Sequence, residues 1–188
     1  AEVLPEHRGF FAPSICGEMG QAAFVKKSIV LHEVGDVFIH GHMDSLIEHN
    51  PLSIGRNLQY LKTTSPDGEP LTIINLHGLW TGQDKDDNEE RLEQSRKIVK
   101  FVRSLSGKIV LCGDFNLNPD TESLKMLVRD LELKDLIKEH GVLSTRTSLY
   151  TKPGKFADYI LVSPNIRVRN FQVLPDEVSD HSSLLLEF

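Results

Sequence analysis

Four short apolar runs in this chain each carry an acid, an amide or an imidazole at one end. Lys108-Ile-Val-Leu-Cys112 leads into Gly113-Asp114-Phe115-Asn116-Leu117-Asn118-Pro119, and Leu71-Thr-Ile-Ile74 leads into Asn75-Leu76-His77-Gly78. Asp158 opens the run Asp158-Tyr159-Ile160-Leu161-Val162. Ser179-Asp180-His181-Ser182 stands just before Leu184-Leu185-Leu186-Glu187-Phe188. Runs this short and apolar read as buried strands. A strand that ends on a polar side chain delivers it to the rim of a sheet. One such end is ordinarily structural, whereas four of these types together are hard to obtain by chance.

Asp114 and Asn116 are two apart, so an extended backbone would project both to one face. Asn118-Pro119 then stops the strand, because proline cannot donate to a ladder and restricts the residue before it. An acid beside an amide suits a phosphate ester. The acid orients water or a metal, and the amide donates to a phosphoryl oxygen. The plainer alternative is a strand followed by an Asx turn.

Periodicity supplies the rest of the frame. Strands are expected at Gln21–Lys27, Ser28–Glu33, Asp36–His40, Asn57–Thr63, Leu71–Leu76, Lys108–Cys112, Phe156–Val162, Arg167–Leu174 and Ser183–Phe188, with a hairpin turn at Pro66-Asp67-Gly68. One long helix is expected from Asn88 to Leu105, with Leu92, Ile98, Val99, Val102 and Leu105 on its apolar stripe and Glu, Arg and Lys elsewhere. Asp86 and Glu89 read as its capping box, so the acidic run Asp84–Glu90 is a helix start rather than a metal loop. A second helix follows Pro119-Asp120 with Leu124, Leu127 and Val128 inward, and a third carries Leu133–Lys138. Many strands with helices between them give an α/β chain of two packed sheets flanked by helices.

With 188 residues the chain fits one domain with a real core, 1–188. No run approaches a membrane span, and no signal-peptide pattern stands at Ala1. Cys16 and Cys112 make no disulfide framework and read as free thiols, consistent with a reducing, cytoplasmic setting. The net charge of −6 argues against tight non-specific grip on a nucleic-acid backbone. Basic residues are scattered, with a local rim conceivable at Lys152 and Lys155. Trp80 either stacks on a base or sugar at the site mouth or covers a sheet edge.

The Gly-Asp-Phe-Asn, Asp-Tyr-Ile-Leu and Ser-Asp-His motifs, in this order, resemble the endonuclease/exonuclease/phosphatase superfamily, from about Gln21 to Phe188. The resemblance implies a four-layer α/β/β/α sandwich of the DNase I-like kind, with two mostly antiparallel sheets flanked by helices. It implies a monomeric metal-dependent phosphoric ester hydrolase using Mg²⁺ or Mn²⁺. Asp180 and Asp114 would be metal ligands, and His181 the imidazole facing the scissile phosphate. Asp158 would fix the tautomer of His181 and favour its charged form. Asp114 would orient the attacking water, and Asn116 would grip a phosphoryl oxygen. His77 would donate to the phosphate or protonate the leaving oxygen, with Asn75 bracing the loop. Arg56 either pairs with phosphate or forms a surface ion pair.

The chain also departs from that family, whose members begin with strands ending in Asn and in Gln-Glu, the Glu being a principal metal ligand. Glu2, Glu6 and Glu18 lack the apolar run that would place them at a sheet end. The opening reads as helix and loop, and the chain as a piece of a longer hydrolase lacking a unit of on the order of 30 residues. This motivates a second reading, a non-catalytic sandwich that acts as a binding module. A third rests on His40-Gly-His42-Met-Asp44, the His-x-His-x-Asp pattern of zinc-dependent metallo-β-lactamase-like hydrolases, although Ser45 stands where those have another His. The substrate could be nucleic acid, a small phosphodiester or a phospholipid. The loops Gly78–Asp87 and Gly141–Lys155 are where that choice would lie.

Overall fold

The apolar runs pair into one six-stranded sheet that organises everything else. The computed structural model describes residues 3–82 and 84–188. Its sheet contains β3 (Leu31–His40), β4 (Arg56–Thr64), β5 (Pro70–His77), β6 (Lys108–Asp114), β7 (Lys134–Asp135) and β8 (Asp158–Val162), in the order β3-β4-β5-β6-β8-β7. All neighbours are antiparallel except β5 and β6. A parallel pair needs a long crossover, which α1 (Glu89–Val102) supplies. Two ribbons stand apart from this sheet, β1 (His7–Ile15) with β2 (Met19–Lys26), and β9 (Asn170–Val173) with β10 (Leu184–Glu187). The remaining helices are α2 (Glu122–Asp130) and α3 (Leu136–Glu139).

Register sorts the side chains into two faces. Leu58 aligns with Leu76, Tyr60 with Ile74, Ile74 with Leu111, and Leu111 with Leu161. This face meets α1, whose Phe101 ring lies 5.2 Å from that of Tyr60. Ile98, Val99 and Val102 of α1 and Leu124 and Leu127 of α2 join the same core. The opposite face takes the β1–β2 ribbon through buried amides. Gln59 Nε2 donates to Phe10 O (2.9 Å), and Asn57 Nδ2 donates to Pro13 O (3.0 Å). Phe188, beyond β10, lines a groove on this face with Phe24, Leu61 and Ile73. The result is a layered sandwich of helices, central sheet and a second layer of β ribbons.

Several sequence expectations need correction. The opening is strand rather than helix and loop: β1 is half-exposed, with Phe11 on the outside, and its apolar signal is weak for that reason. Pro13 is tolerated because the ladder shifts register between it and Ile15. Ser28–Glu33 and Asp36–His40 merge into β3, which continues through Gly35 because a Cβ there would lie 2.5 Å from Tyr60 Oη. The cap of α1 is Asn88, which accepts from Arg91 N at 2.8 Å, whereas Asp86 accepts from Asn118 Nδ2. Arg91 and Gln94 are buried, contrary to a stripe that left arginine to solvent. The third helix is shortened to α3 by the β7 pair and capped by Asp135, which accepts from Ile137 N and Lys138 N. The Ser65–Glu69 hairpin forms around Gly68 as expected, and both cysteines are free. Among the described residues no helix is long and apolar enough to cross a membrane.

Candidate active site

Three strand ends put the site together. His77 of β5 aligns with Asp114 of β6, and Asp114 aligns with Asp158 of β8. By alternation this row extends the face that meets the β1–β2 ribbon. Just past it the ladder frays in a controlled way. Gly78 N donates to Asp114 O (2.6 Å) and Phe115 N to Ala157 O (2.7 Å). The chain then turns at Asn116, whose φ of +52° lies in the left-handed region that Asn tolerates. Asp114 and Asn116 therefore do not share an extended face. Instead Asn116 N donates to Asp114 Oδ1 (2.8 Å), an Asx turn, and Asn116 Nδ2 donates to Gly78 O (3.3 Å). The turn is what brings Asn116 into the same cavity. Phe115 and Leu117, both buried, anchor it, and Tyr159 Oη donates to Leu117 O.

Gly78 is fixed by this arrangement, since a Cβ there would lie 2.2 Å from Phe115 O. Gly78→Ala is expected to cost about 1–3 kcal/mol or more, because the backbone it would strike cannot rotate away. Thermal melts read the loss directly, and a neutral substitution would contradict the packing described here.

His181 arrives from the segment before β10. Its Nδ1–H donates to Asp158 Oδ2 at 2.7 Å, leaving Nε2 to face Asp114 Oδ2 at 3.8 Å. The Asp158 hydrogen bond raises the His181 pKa and favours imidazolium. His77 is pushed the other way, by burial first and by Arg56 second. Arg56 Nη1 lies 3.3 Å from both nitrogens of that ring. Burial, and then the neighbouring Asp158 carboxylate, raise the Asp114 pKa. Two imidazoles with pKa values driven apart and one strained carboxylate are the ingredients of acid–base chemistry.

A cavity of about 740 Å³ takes in Arg56, His77, Asp114, Asn116, Asp180 and His181. Asp158 supports His181 from behind. Arg56 is buried at this cavity and, among the described residues, forms no ion pair. Asp180 shares the cavity but accepts from Arg146 Nη1 at 2.9 Å. Trp80 lies in the wall, partly exposed, with Lys152 Nζ 5.7 Å from its ring centre. Asn75 lies inside the ladder beside Cys112 and braces no loop among the described residues. Sequence reasoning missed Lys85, Arg146 and Tyr150, all in this wall. They fall in the two loops singled out for substrate choice, where no apolar period marks individual positions.

A divalent ion needs donors that converge on it. Among the described residues no three His, Cys, Asp or Glu side chains converge on one point. The zinc reading thus lacks a converging ligand set among the described residues, and His40 Nε2 is taken up by Leu52 O. A hard ion that keeps most of its waters needs only one or two carboxylates. Asp114, whose pKa is raised by burial and then by Asp158, fits such an ion, with Asp180 at the same cavity. Glu6 and Glu18 are exposed away from it, and Glu2 lies outside the described residues.

These features define a DNase I-like α/β sandwich with a polar site at its strand ends. The family model for the Endonuclease/Exonuclease/phosphatase family matches residues 4–181, and the chain belongs to that family. An endonuclease/exonuclease/phosphatase family protein of Bacteroides thetaiotaomicron superposes with a TM-score of 0.76 at 20% identity, over 98% of this chain and 74% of that one. The mannosyl-6-phosphatase of B. thetaiotaomicron VPI-5482 gives 0.72 at 21% identity, over 100% and 79%. The human Nocturnin catalytic domain with bound sulfate gives 0.63 at 17% identity, over 97% and 73%. A UPF0294 protein of Vibrio campbellii is 25% identical over 139 residues, 73% of this chain and 46% of the relative. The chain thus spans about half the length of that curated relative.

Proposed function

We propose that this chain is the catalytic part of a Mg²⁺- or Mn²⁺-dependent phosphoester hydrolase. The observation that carries the reading is the register of His77, Asp114 and Asp158, closed by the 2.7 Å His181–Asp158 hydrogen bond. Likeness to a sugar phosphatase and to other family members supports phosphoester chemistry without selecting the ester.

Geometry limits the roles. In an in-line displacement the attacking and leaving oxygens lie on opposite sides of phosphorus. His181 Nε2 and Asp114 Oδ2, 3.8 Å apart, are too close to serve opposite sides. Asp114 is therefore the base for water, and His181, as imidazolium, donates to a phosphoryl oxygen beside it. Asn116 has one amide N–H left after Gly78 O and turns it to the phosphate. His77 stays neutral against Arg56 and donates an N–H, while the Arg56 guanidinium offsets phosphate charge. An ion held by Asp114 and Asp180 would supply Lewis-acid polarisation of the phosphoryl group.

Hydrolysis of a generic phosphodiester with Mn²⁺, with and without chelator, tests the assignment. Chelator-sensitive turnover supports it. Binding of the ester without turnover in a longer form of the protein would favour the binding-module reading instead. The pH profile gives a second check. Asp114 must be ionised, so the acid limb should lie above the ordinary carboxylate range. His181 must be charged, so activity should fall on the alkaline side, above the ordinary histidine value. His181→Asn is expected to remove that alkaline limb and lower kcat by roughly 10²–10⁴-fold.

A further inference from the structure

We propose that the wall formed by Lys85, Arg146 and Tyr150 is a second anion subsite, which makes the preferred substrate a phosphoester bearing a further phosphate. The proposal rests on the phosphoester reading and names its substrate class.

Lys85 is 7% exposed, yet among the described residues it has no carboxylate partner. Its Nζ spends one of three donors on Phe156 O (2.7 Å) and borders the cavity. A buried ammonium without a counter-ion is costly unless something supplies the negative charge. Arg146, with a side chain equally buried, gives Nη1 to Asp180 and has a buried Nε with no partner. Tyr150 holds the pair: its ring centre lies 4.2 Å from Arg146 Cζ and 5.7 Å from Lys85 Nζ. Burial and then Arg146 depress the Lys85 pKa, while Asp114 and Asp158, neither of them in ion-pair contact, pull it the other way. Cations brought together at this cost, carried on loops of the cavity rather than on the strands that hold Arg56 and His77, form an electrostatic trap for a second anion. Arg supplies a planar fork and Lys a point charge, the combination that suits phosphate. Lys152, beside Trp80, stands at the same mouth and also lacks a carboxylate partner among the described residues.

The chain's single tryptophan, Trp80, lies in this cavity and reports occupancy by its own fluorescence. Titrations in chelator separate binding from turnover. One arm compares a hexose 1,6-bisphosphate with the hexose 6-phosphate. The other compares a dinucleotide with and without a 5′-phosphate, so the arms distinguish sugar from nucleotide sources. In at least one arm the added phosphate should tighten binding about tenfold. Lys85→Met should reduce that ratio to about threefold or less, and Lys85→Arg should restore it. Equal affinity within both pairs for the unaltered protein overturns the subsite, whether or not Lys85→Met folds. An unchanged ratio in folded Lys85→Met overturns it too. Failure of every ester to bind would sink the phosphoester reading along with the subsite. Preference without hydrolysis would sink only the hydrolase reading.

Discussion

Asp114→Asn is expected to cut turnover severely and, at the same time, raise the melting temperature at neutral pH. The carboxylate is largely buried, and Asp158 sits opposite it in the ladder. Both features disfavour its charged form, so its pKa in the folded state is raised. The linkage sign follows. A raised carboxylate binds its proton more readily folded than unfolded, so stability is lost as pH rises from the unfolded toward the folded pKa. Asparagine removes that cost and can still accept the Asn116 N–H that Asp114 Oδ1 accepts at 2.8 Å. Each kcal/mol relieved shifts Tm by roughly 2–4 °C in a domain of this size. The gain should vanish below the carboxylate range, where Asp114 is protonated as well. Losing the base should cut kcat by roughly 10²–10⁴-fold. Melts at neutral and acid pH beside rate measurements decide the matter. A variant that is both less stable and fully active would overturn the role and the electrostatics together.

Arg91→Met should be the most damaging substitution away from the reacting groups. Arg91 is 1% exposed, and its guanidinium donates to Asp86 O, to Asp84 O at 2.6 Å and to Thr81 Oγ1 at 3.4 Å. Gln94, one turn along, accepts from Leu79 N at 2.8 Å. Helix α1 thus spends its first turns satisfying the backbone of the loop that carries Trp80 and Lys85. Methionine fills much of the space but leaves those carbonyls without donors, at roughly 1–3 kcal/mol each where they are buried. A total loss of about 3–4 kcal/mol is expected, within the range for breaking a buried polar network. Denaturant unfolding measures it. Because the loop walls the cavity, kcat/KM should fall in the protein that remains folded. A loss under about 1 kcal/mol would mean the loop holds itself.

What could be read in advance divides along burial. Strands β5, β6 and β8 are largely covered on both faces, so their apolar runs are dense and their polar ends stand out. His77, Asp114, Asp158 and His181 were legible for that reason. In the β1–β2 ribbon the strand expected at Gln21–Lys27 forms as β2, but β1 was missed, because one face of the ribbon looks to solvent and the other is held by Gln21, Asn57 and Gln59, a polar interface that weakens hydrophobic alternation. Arg91 and Gln94 invert the usual rule for a helix face, since the layer they touch is loop backbone rather than apolar side chains. The positive φ of Asn116 depends on the tie between Gly78 and Asp114, a contact across 36 residues of sequence that no local pattern encodes. Lys85 and Arg146 become neighbours only by sharing the ring of Tyr150.

The parallel pairing of β5 with β6 has a consequence for the order in which the molecule comes into being. His77 and Asp114 can stand side by side only after the whole crossover through α1 has been laid down and docked. Asp158 must then add β8 to β6, and His181, 23 residues further along, must close on Asp158. Contacts so distant in sequence form late and slowly. No partly formed molecule emerging from a ribosome brings His77, Asp114, Asp158 and His181 together before His181 itself has been made. The architecture keeps the candidate site incomplete until His181 has been made and docked.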